Sequence, residues 1–217
     1  MRKLVIYGAA FLDCVKLVDA INRAKPTWTI AGFLDDTAGL AGTEILGLPV
    51  LGGQEQLSRM AGDPDVDFFN NVRGHWTRCR TIVDQLASVG RASVSLIHPG
   101  TDMNHVTVGA GCSISDRTVI AAMTRLGSNV TVRLACVISH DVAIGDDVAL
   151  GPGVIIGSHV RLGARTMIGA GAIIVTGVEI GADVTVAAGS LVTRNVAAGV
   201  QVAGSPARKV PNFAQSA

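Results

Sequence analysis

From Val108 onward, apolar residues recur every six positions. The series runs Val108, Ile114, Ile120, Leu126, Val132, Ile138, Ile144, Leu150 and Ile156 and continues to Val192, always aliphatic. Four residues after each member stands a small or β-branched one, among them Cys112, Thr118, Val130, Cys136, Val142, Val148 and Ala172. Neither the helical period nor simple strand alternation gives a spacing of six. Short β-branched runs favour strands, and the Gly, Asp, Pro and Ser between them favour tight turns. Three such units make one coil of a triangular prism, with the aliphatic series as its inner column. A single coil cannot bury its own apolar side, so stacking has to supply the stability.

The pattern before the repeat is different. KLVIY at 3–7 predicts a buried strand ending at Gly8, and 11–23 places Phe11, Cys14, Val15, Val18 and Ile21 at helical spacing. A second strand is predicted over 28–34, ending in Asp35-Asp36. A glycine-rich link at 47–53 follows, then a short helix over 55–60, a strand over 66–69, a helix over 76–89 and a strand over 93–97. Strands alternating with helices predict a small parallel α/β domain. The expected division is a Rossmann-like domain at 1–97, a prism at 98–204 and a tail at 205–217, with IHPG at 97–100 as the passage between the first two. In such a sheet ligands bind beyond the carboxyl ends of the strands, where Gly8, Ala9, Ala10 and Asp35 stand. No GxGxxG motif is present. Gly8 as a plain chain turn, with Asp35 and Asp36 as solvated acids, is the alternative to a nucleotide site.

Composition adds exclusions. Aromatic residues are only 4% while hydrophobic ones reach 48%, which suits narrow coils filled by Val, Ile, Leu and Ala. A net charge near +1 with scattered basic residues argues against a nucleic-acid surface. No apolar run reaches the length of a membrane span; the N-terminus, with two basic residues and an apolar run, faintly resembles a signal peptide, but Asp13 interrupts it and an amphipathic helix follows. The four cysteines lack paired spacing, and a reducing, cytoplasmic setting is expected.

For chemistry, His140 is the outstanding candidate. It is the third residue of its unit, a turn position projecting from a prism corner, and the same corner carries Asn104, Ala122, Ser158, Thr176 and Arg194. Asp141 follows it directly. A surface histidine and a solvated turn aspartate are the plain alternative.

The units IGDDVA, LGPGVI, IGSHVR and LGARTM, together with YGA near the start, FLDD after the second strand and the IHP junction, resemble the hexapeptide-repeat sugar O/N-acyltransferases of the sialic acid O-acetyltransferase and bacillosamine N-acetyltransferase type. The resemblance covers nearly the whole chain. It implies an α/β Rossmann-like domain followed by a left-handed parallel β-helix, in a homotrimer whose active sites lie between prisms. It further implies surface glycan biosynthesis, with acetyl-CoA as cosubstrate, a nucleotide-linked amino sugar as acceptor, and no metal. His140 would be the general base and Asp141 its orienting partner, with oxyanion donors near Gly157-Ser158. Ala149, Ser158, Ala170, Ala188 and Arg208 fall to the coenzyme, and Gly8, Ala9, Ala10, Asp35, Asp36 and Asn71 to the sugar nucleotide. Arg78 and Arg80 lie on the following helix. The chain departs from the pattern twice: GAAFL replaces a glycine-rich loop, and Ala149 stands where several relatives have a second histidine. Some left-handed prisms are zinc enzymes, but His140 and His159 are one position off the coil repeat, and His75 and His98 lie away from that corner. An O-acetyltransferase acting on a sugar hydroxyl, and a scaffold that has kept the prism without the chemistry, are the other readings.

Overall fold

The computed structural model describes residues 1–72 and 76–211, with the backbone alone at Trp76; His75 lies outside the described residues. The chain divides into two compact units, Met1–Pro99 and Gly100–Ala217. No described helix is long and apolar enough to cross a membrane.

The first unit is built on three parallel strands, β1 (Arg2–Tyr7), β2 (Trp28–Leu34) and β5 (Val66–Asn70), in the order β2-β1-β5. Side chains alternate across β1 because successive Cβ atoms in a strand point to opposite faces. Leu4 and Ile6 pack with Cys14, Leu17 and Val18 of α1 (Asp13–Ala24). Val5 and Tyr7 pack on the opposite side with Leu57 of α2 (Glu55–Ala61) and with Ile82 and Leu86 of α3 (Trp76–Ser88).

Three local features differ from the sequence expectation. Helix α1 begins at Asp13 rather than Phe11, because the carbonyls of Gly8 and Phe11 are both held by the Asn71 amide, each at 2.9 Å, which keeps that stretch a loop. The glycine-rich link contains a hairpin, β3 (Glu44–Ile45) against β4 (Leu48–Pro49). Its turn residues Leu46 and Gly47 have φ of 51° and 71°, the left-handed pair that a two-residue hairpin turn requires. The expected strand over 93–97 is reduced to Leu96–Ile97 and one bridge from Ser93 to Phe68.

The second unit is a parallel β-helix. Two-residue strands recur every six residues from Thr107–Val108 to Leu191–Val192 and form three faces. The first face stacks Thr107, Arg125, Ala143, Arg161 and Glu179; the second, Ser113, Thr131, Ala149, Met167 and Thr185; the third, Val119, Val137, Ile155, Ile173 and Leu191. The second residue of each strand enters the core, as Ile114, Ile138, Leu150 and Ile174 do with no exposure at all. After Gly204 the chain turns back, and Ala207–Val210 pairs antiparallel with Gln201–Gly204. Ordered strand therefore continues into the segment expected as a tail.

Each corner contains one residue with a left-handed backbone. It recurs every six positions from His105 to Asp183 and Gly189, and at most corners it is not glycine: Arg117, Met123, Ala135, Asp141 and His159 all have φ between 55° and 62°. Such a backbone is costly for residues with a Cβ, and stacking enforces it. The small-residue series also has a second purpose. Thr124 and Thr166 donate their hydroxyls, and Cys112 and Cys136 their thiols, to the carbonyl fifteen residues ahead on the next coil, at 3.0 to 3.2 Å. Burial pushes the Cys136 thiol up.

Where the second position of a unit is glycine, it is so for want of space. A Cβ at Gly151 would lie 2.7 Å from the backbone nitrogen of Ala170 on the next coil. Gly151→Ala is expected to destabilise the prism by about 1–3 kcal/mol, as overpacking does. Ala135→Gly, which relieves a left-handed alanine, should stabilise it by roughly 0.5–1 kcal/mol. Urea denaturation midpoints of the two variants should move in opposite directions.

Candidate active site

The corner between the third and first faces carries His140. Strand Val137–Ile138 ends two residues before it and strand Ala143–Ile144 begins three residues after. Asp141 takes the left-handed position of the turn, with φ 59°. That backbone turns its carboxylate toward its neighbour, and Asp141 Oδ2 lies 2.8 Å from His140 Nδ1. Eighteen residues on, Ser158 occupies the same place on the next coil, with Oγ 3.0 Å from His140 Nε2. Ser139 Oγ lies 2.8 Å from Ser158 Oγ, and the Ser139 carbonyl accepts from the buried Thr124 hydroxyl at 3.0 Å. The result is a hydrogen-bonded line, Ser139–Ser158–His140–Asp141, across two coils.

The hydrogen bond from His140 holds the Asp141 carboxyl below the usual carboxylate range, with His159, His140 and Arg125 adding positive charge nearby. A carboxylate that stays ionised on Nδ1 selects the tautomer with the proton there and leaves the Nε2 lone pair free to accept a proton. His140 is itself about half exposed. Such geometry is chemically suited to accepting a proton at Nε2.

His159 is the contact that sequence spacing missed. Counted along the coil it is one step out of line with His140, yet its ring meets His140 edge to face at 5.2 Å between centroids. The left-handed turn brings the two together, because the His159 backbone N–H donates to the His140 carbonyl at 3.2 Å. Ligand atoms of His140, Asp141 and His159 all come within 4.8 Å of one another. Both ring nitrogens of His140 are already hydrogen-bonded, so coordinating a cation there would break at least one of those bonds.

The residues assigned to the coenzyme are dispersed. Ser158 is in the His140 corner, Ala149 is on the second face, and Ala170 and Ala188 are stacked on the corner between the second and third faces. Arg208 is exposed on the C-terminal hairpin and lines a cavity of about 320 Å³ with Arg194 and Lys209. A larger open cleft of about 760 Å³ runs along the first face past Arg125, Ala143, Arg161 and Glu179.

In the first unit, the residues expected at a nucleotide are drawn together and largely occupied by one another. Asp35 accepts the N–H of Ala9 at 2.9 Å on one oxygen and that of Thr37 at 2.9 Å on the other. Burial would raise its pKa, but those bonds, the Thr37 hydroxyl and the Arg78 charge more than offset this and hold it below the usual range. Asp36 accepts from the Gln54 N–H at 2.7 Å, from the Tyr7 hydroxyl at 2.8 Å and from Arg78 at 3.2 Å. Burial first, and the Asp36 contact second, push the Tyr7 phenol up. Asp36 is 38% exposed against 9% for Asp35, so Asp36 is the carboxylate with room to meet a ligand. Asn71 is buried and ties the loop at Gly8 and Phe11. Gly8 has φ +100°, and a Cβ there would stand 2.9 Å from the Val72 side chain, so local packing alone demands the glycine. Ala10 is exposed beside it.

Residues 159–194 match the family described as bacterial transferase hexapeptide (six repeats). A histidine-to-alanine variant of GDP-perosamine N-acetyl transferase from Caulobacter crescentus, in complex with CoA and GDP-perosamine, superposes with a TM-score of 0.87 at 26% identity, covering 97% of each chain. The acetyltransferase domain of PglB from Neisseria gonorrhoeae FA1090, in complex with acetyl coenzyme A, does so with a TM-score of 0.85 at 27% identity, over 96% of this chain and 99% of that one. Over nearly its full length the chain is similar to hexapeptide-repeat sugar N-acetyltransferases. Its fold, an α/β unit followed by a left-handed β-helix, is theirs. WeeI from Acinetobacter baumannii AYE shares that fold at 24% identity and a TM-score of 0.82, over 97% of this chain and all of the other. Among curated protein sequences none matches.

The Asp35 network generates a prediction about acid stability. A carboxylate whose folded pKa is depressed stabilises the fold above its unfolded value, about 3.9, and that contribution disappears as pH falls through the folded value. Asp35→Asn should cost about 1–3 kcal/mol at neutral pH, because the amide keeps one acceptor oxygen and sets its NH2 group against the other of the two N–H donors. The gap from wild type should close below about pH 4. Urea unfolding followed through Trp28 fluorescence at both pH values measures it.

Proposed function

We propose that this chain is an acetyl-CoA-dependent acetyltransferase that acts on the amino group of a nucleotide-linked amino sugar, with His140 as general base. One observation carries the reading: the Asp141–His140–Ser158 line stands on an exposed corner of the prism, with Nδ1 held by a carboxylate and Nε2 against the Ser158 hydroxyl. The likeness to sugar N-acetyltransferases in complex with CoA and GDP-perosamine, over nearly the full chain, supports the substrate class.

In this mechanism the sugar amine enters at Nε2 of His140 and attacks the acetyl carbonyl of acetyl-CoA. His140 accepts the proton that the nitrogen must lose, and Asp141 stabilises the imidazolium. The backbone N–H of Ser158 faces the developing oxyanion, and CoA thiolate leaves. Asp36 and Arg78, at the carboxyl end of β2 and on α3, meet the nucleotide of the acceptor, while Asp35 and Asn71 shape the loop around it. Ala149, Ala170, Ala188 and Arg208 contact the coenzyme along the prism. The four cysteines are buried, and the reading places the protein in the cytoplasm.

The active unit in this reading is a homotrimer. Val119, Val137, Ile155 and Ile173 form an outward apolar column on the third face, each at least 40% exposed. That face separates the His140 corner from the Ala170 and Ala188 corner. A single prism therefore cannot bring the base and those coenzyme turns together, whereas a neighbouring prism packed on the third face can. Replacing Val137 and Ile155 together with Glu should shift the sedimentation coefficient to that of a monomer and abolish transfer; a wild-type protein that sediments as a monomer would contradict the trimer.

The catalytic reading is tested by CoA release from acetyl-CoA with UDP-, dTDP- and GDP-linked 4-amino sugars, their hydroxyl counterparts and free sialic acid. An amino sugar should turn over. His140→Ala should lower kcat/KM on the order of 10²–10⁴-fold, as loss of a general base does, and Asp141→Asn should have a smaller effect. Turnover confined to a hydroxyl acceptor would move the assignment to O-acetylation. No turnover and no acetyl-CoA binding would leave a scaffold.

A further inference from the structure

The hydrogen-bonded line at the His140 corner includes a hydroxyl that transfer to a sugar does not use. Ser158 Oγ sits 3.0 Å from His140 Nε2, and His140 Nδ1 sits 2.8 Å from Asp141 Oδ2. This is the order nucleophile, base, orienting acid, with both contacts at hydrogen-bond length, by which an activated serine is recognised on unrelated folds. Resting on the assignment of acetyl-CoA to this corner, we propose that Ser158 is itself an acyl acceptor, so that in the absence of a sugar the enzyme forms an acetyl-Ser158 ester and hydrolyses acetyl-CoA.

Three features of the corner favour this over a merely structural serine. Ser158 stands in register with His140 on the adjacent coil, at a place where the stacked corners otherwise carry Asn104, Ala122, Thr176 and Arg194. Ser139 Oγ, 2.8 Å from Ser158 Oγ, can donate to it and thereby direct the Ser158 proton toward Nε2. Ser139 is in turn fixed through its carbonyl by Thr124. Finally, as at most corners of the prism, the backbone N–H at this turn position has no acceptor among the described residues, so the Ser158 N–H is available beside its own hydroxyl, whereas the Gly157 and His159 N–H groups are committed to the Ile174 and His140 carbonyls. A nucleophile's own N–H is a standard donor to the oxyanion formed upon its attack.

The chemistry balances without further reagents. Ser158 Oγ forms a bond to the acetyl carbonyl carbon while its proton passes to His140 Nε2, and Asp141 stabilises the imidazolium. The tetrahedral intermediate collapses, the C–S bond breaks, and the thiolate of CoA takes the proton from Nε2. Water then attacks the acetyl ester and gives its proton to Nε2, and collapse expels the Ser158 alkoxide, which recovers that proton. The net reaction is acetyl-CoA plus water to acetate, a proton and CoA. A sugar amine bound at Nε2 displaces the Ser158 hydroxyl from its hydrogen bond, so transfer and hydrolysis compete for one base.

The test uses the full chain with acetyl-CoA and no sugar. Thiol release is followed in time, samples are quenched in acid, and the peptide containing Ser158 is examined by mass spectrometry. Acetyl-CoA binding is measured by calorimetry on each protein. Wild type should release CoA and carry an acetyl ester on Ser158. Ser158→Ala should still bind acetyl-CoA but lose sugar-independent release on the order of 10²-fold or more, and Ser158→Cys should accumulate a hydroxylamine-labile acetyl group. An unacetylated Ser158, with CoA release equal in wild type and Ser158→Ala, would overturn this inference while the sugar panel still judges transfer on its own. A protein that does not bind acetyl-CoA would overturn both.

Discussion

Every coil of the prism satisfies its backbone through the coils above and below it. Strand N–H groups donate to carbonyls seventeen residues ahead, as Gly145 does to Leu162 at 2.8 Å and Gly151 to Ile168 at 2.8 Å. Buried backbone polar groups left unpaired are too costly to tolerate, so the spacing between coils is fixed by these bonds rather than by side chains. Everything else adjusts to that spacing. Aliphatic residues fill the interior, glycine is needed where a Cβ would meet the next coil, and one residue per corner accepts a left-handed backbone whether or not it is glycine.

The same constraint makes the candidate site. His140, Asp141 and Ser158 are all turn residues, and at the turns side chains stand outside the column and can bond to one another. The left-handed backbone at Asp141 brings two adjacent side chains into contact, which sequence adjacency alone does not ensure. The coil repeat then sets Ser158 over the imidazole. In the first unit a comparable economy holds: the acidic pair at the end of β2 is bonded to loop N–H groups and to Tyr7 and Arg78, so the residues that outline the site also hold the loops that form it.

Much of this was legible in the sequence because the prism repeats. Two series in phase over fifteen units announce the inner column, and the corner column through His140 already contains Ser158. What a one-dimensional repeat cannot show is where a turn residue leans. Hence His159 read as out of line although its ring touches His140. In the α/β unit, where no repeat averages out local effects, the boundaries were less exact. The start of α1 was decided by Asn71, some sixty residues away, and the hairpin at 44–49 by the backbone freedom of Leu46-Gly47. Both depend on contacts that helical or strand periodicity does not encode.

The contact between His140 and Ser158 joins two successive coils rather than two loops of a cleft. The groups that surround the imidazole are therefore set by which coil is stacked next, much as the neighbours of a card are set by its place in the deck. Exchange, loss or gain of a whole coil beyond Ile156 would keep every hydrogen bond of the ladder in phase, yet would deal His140 a different partner at Nε2. Prisms of this construction can thus alter the surroundings of a corner by reshuffling turns while the histidine, its carboxylate and the fold stay as they are.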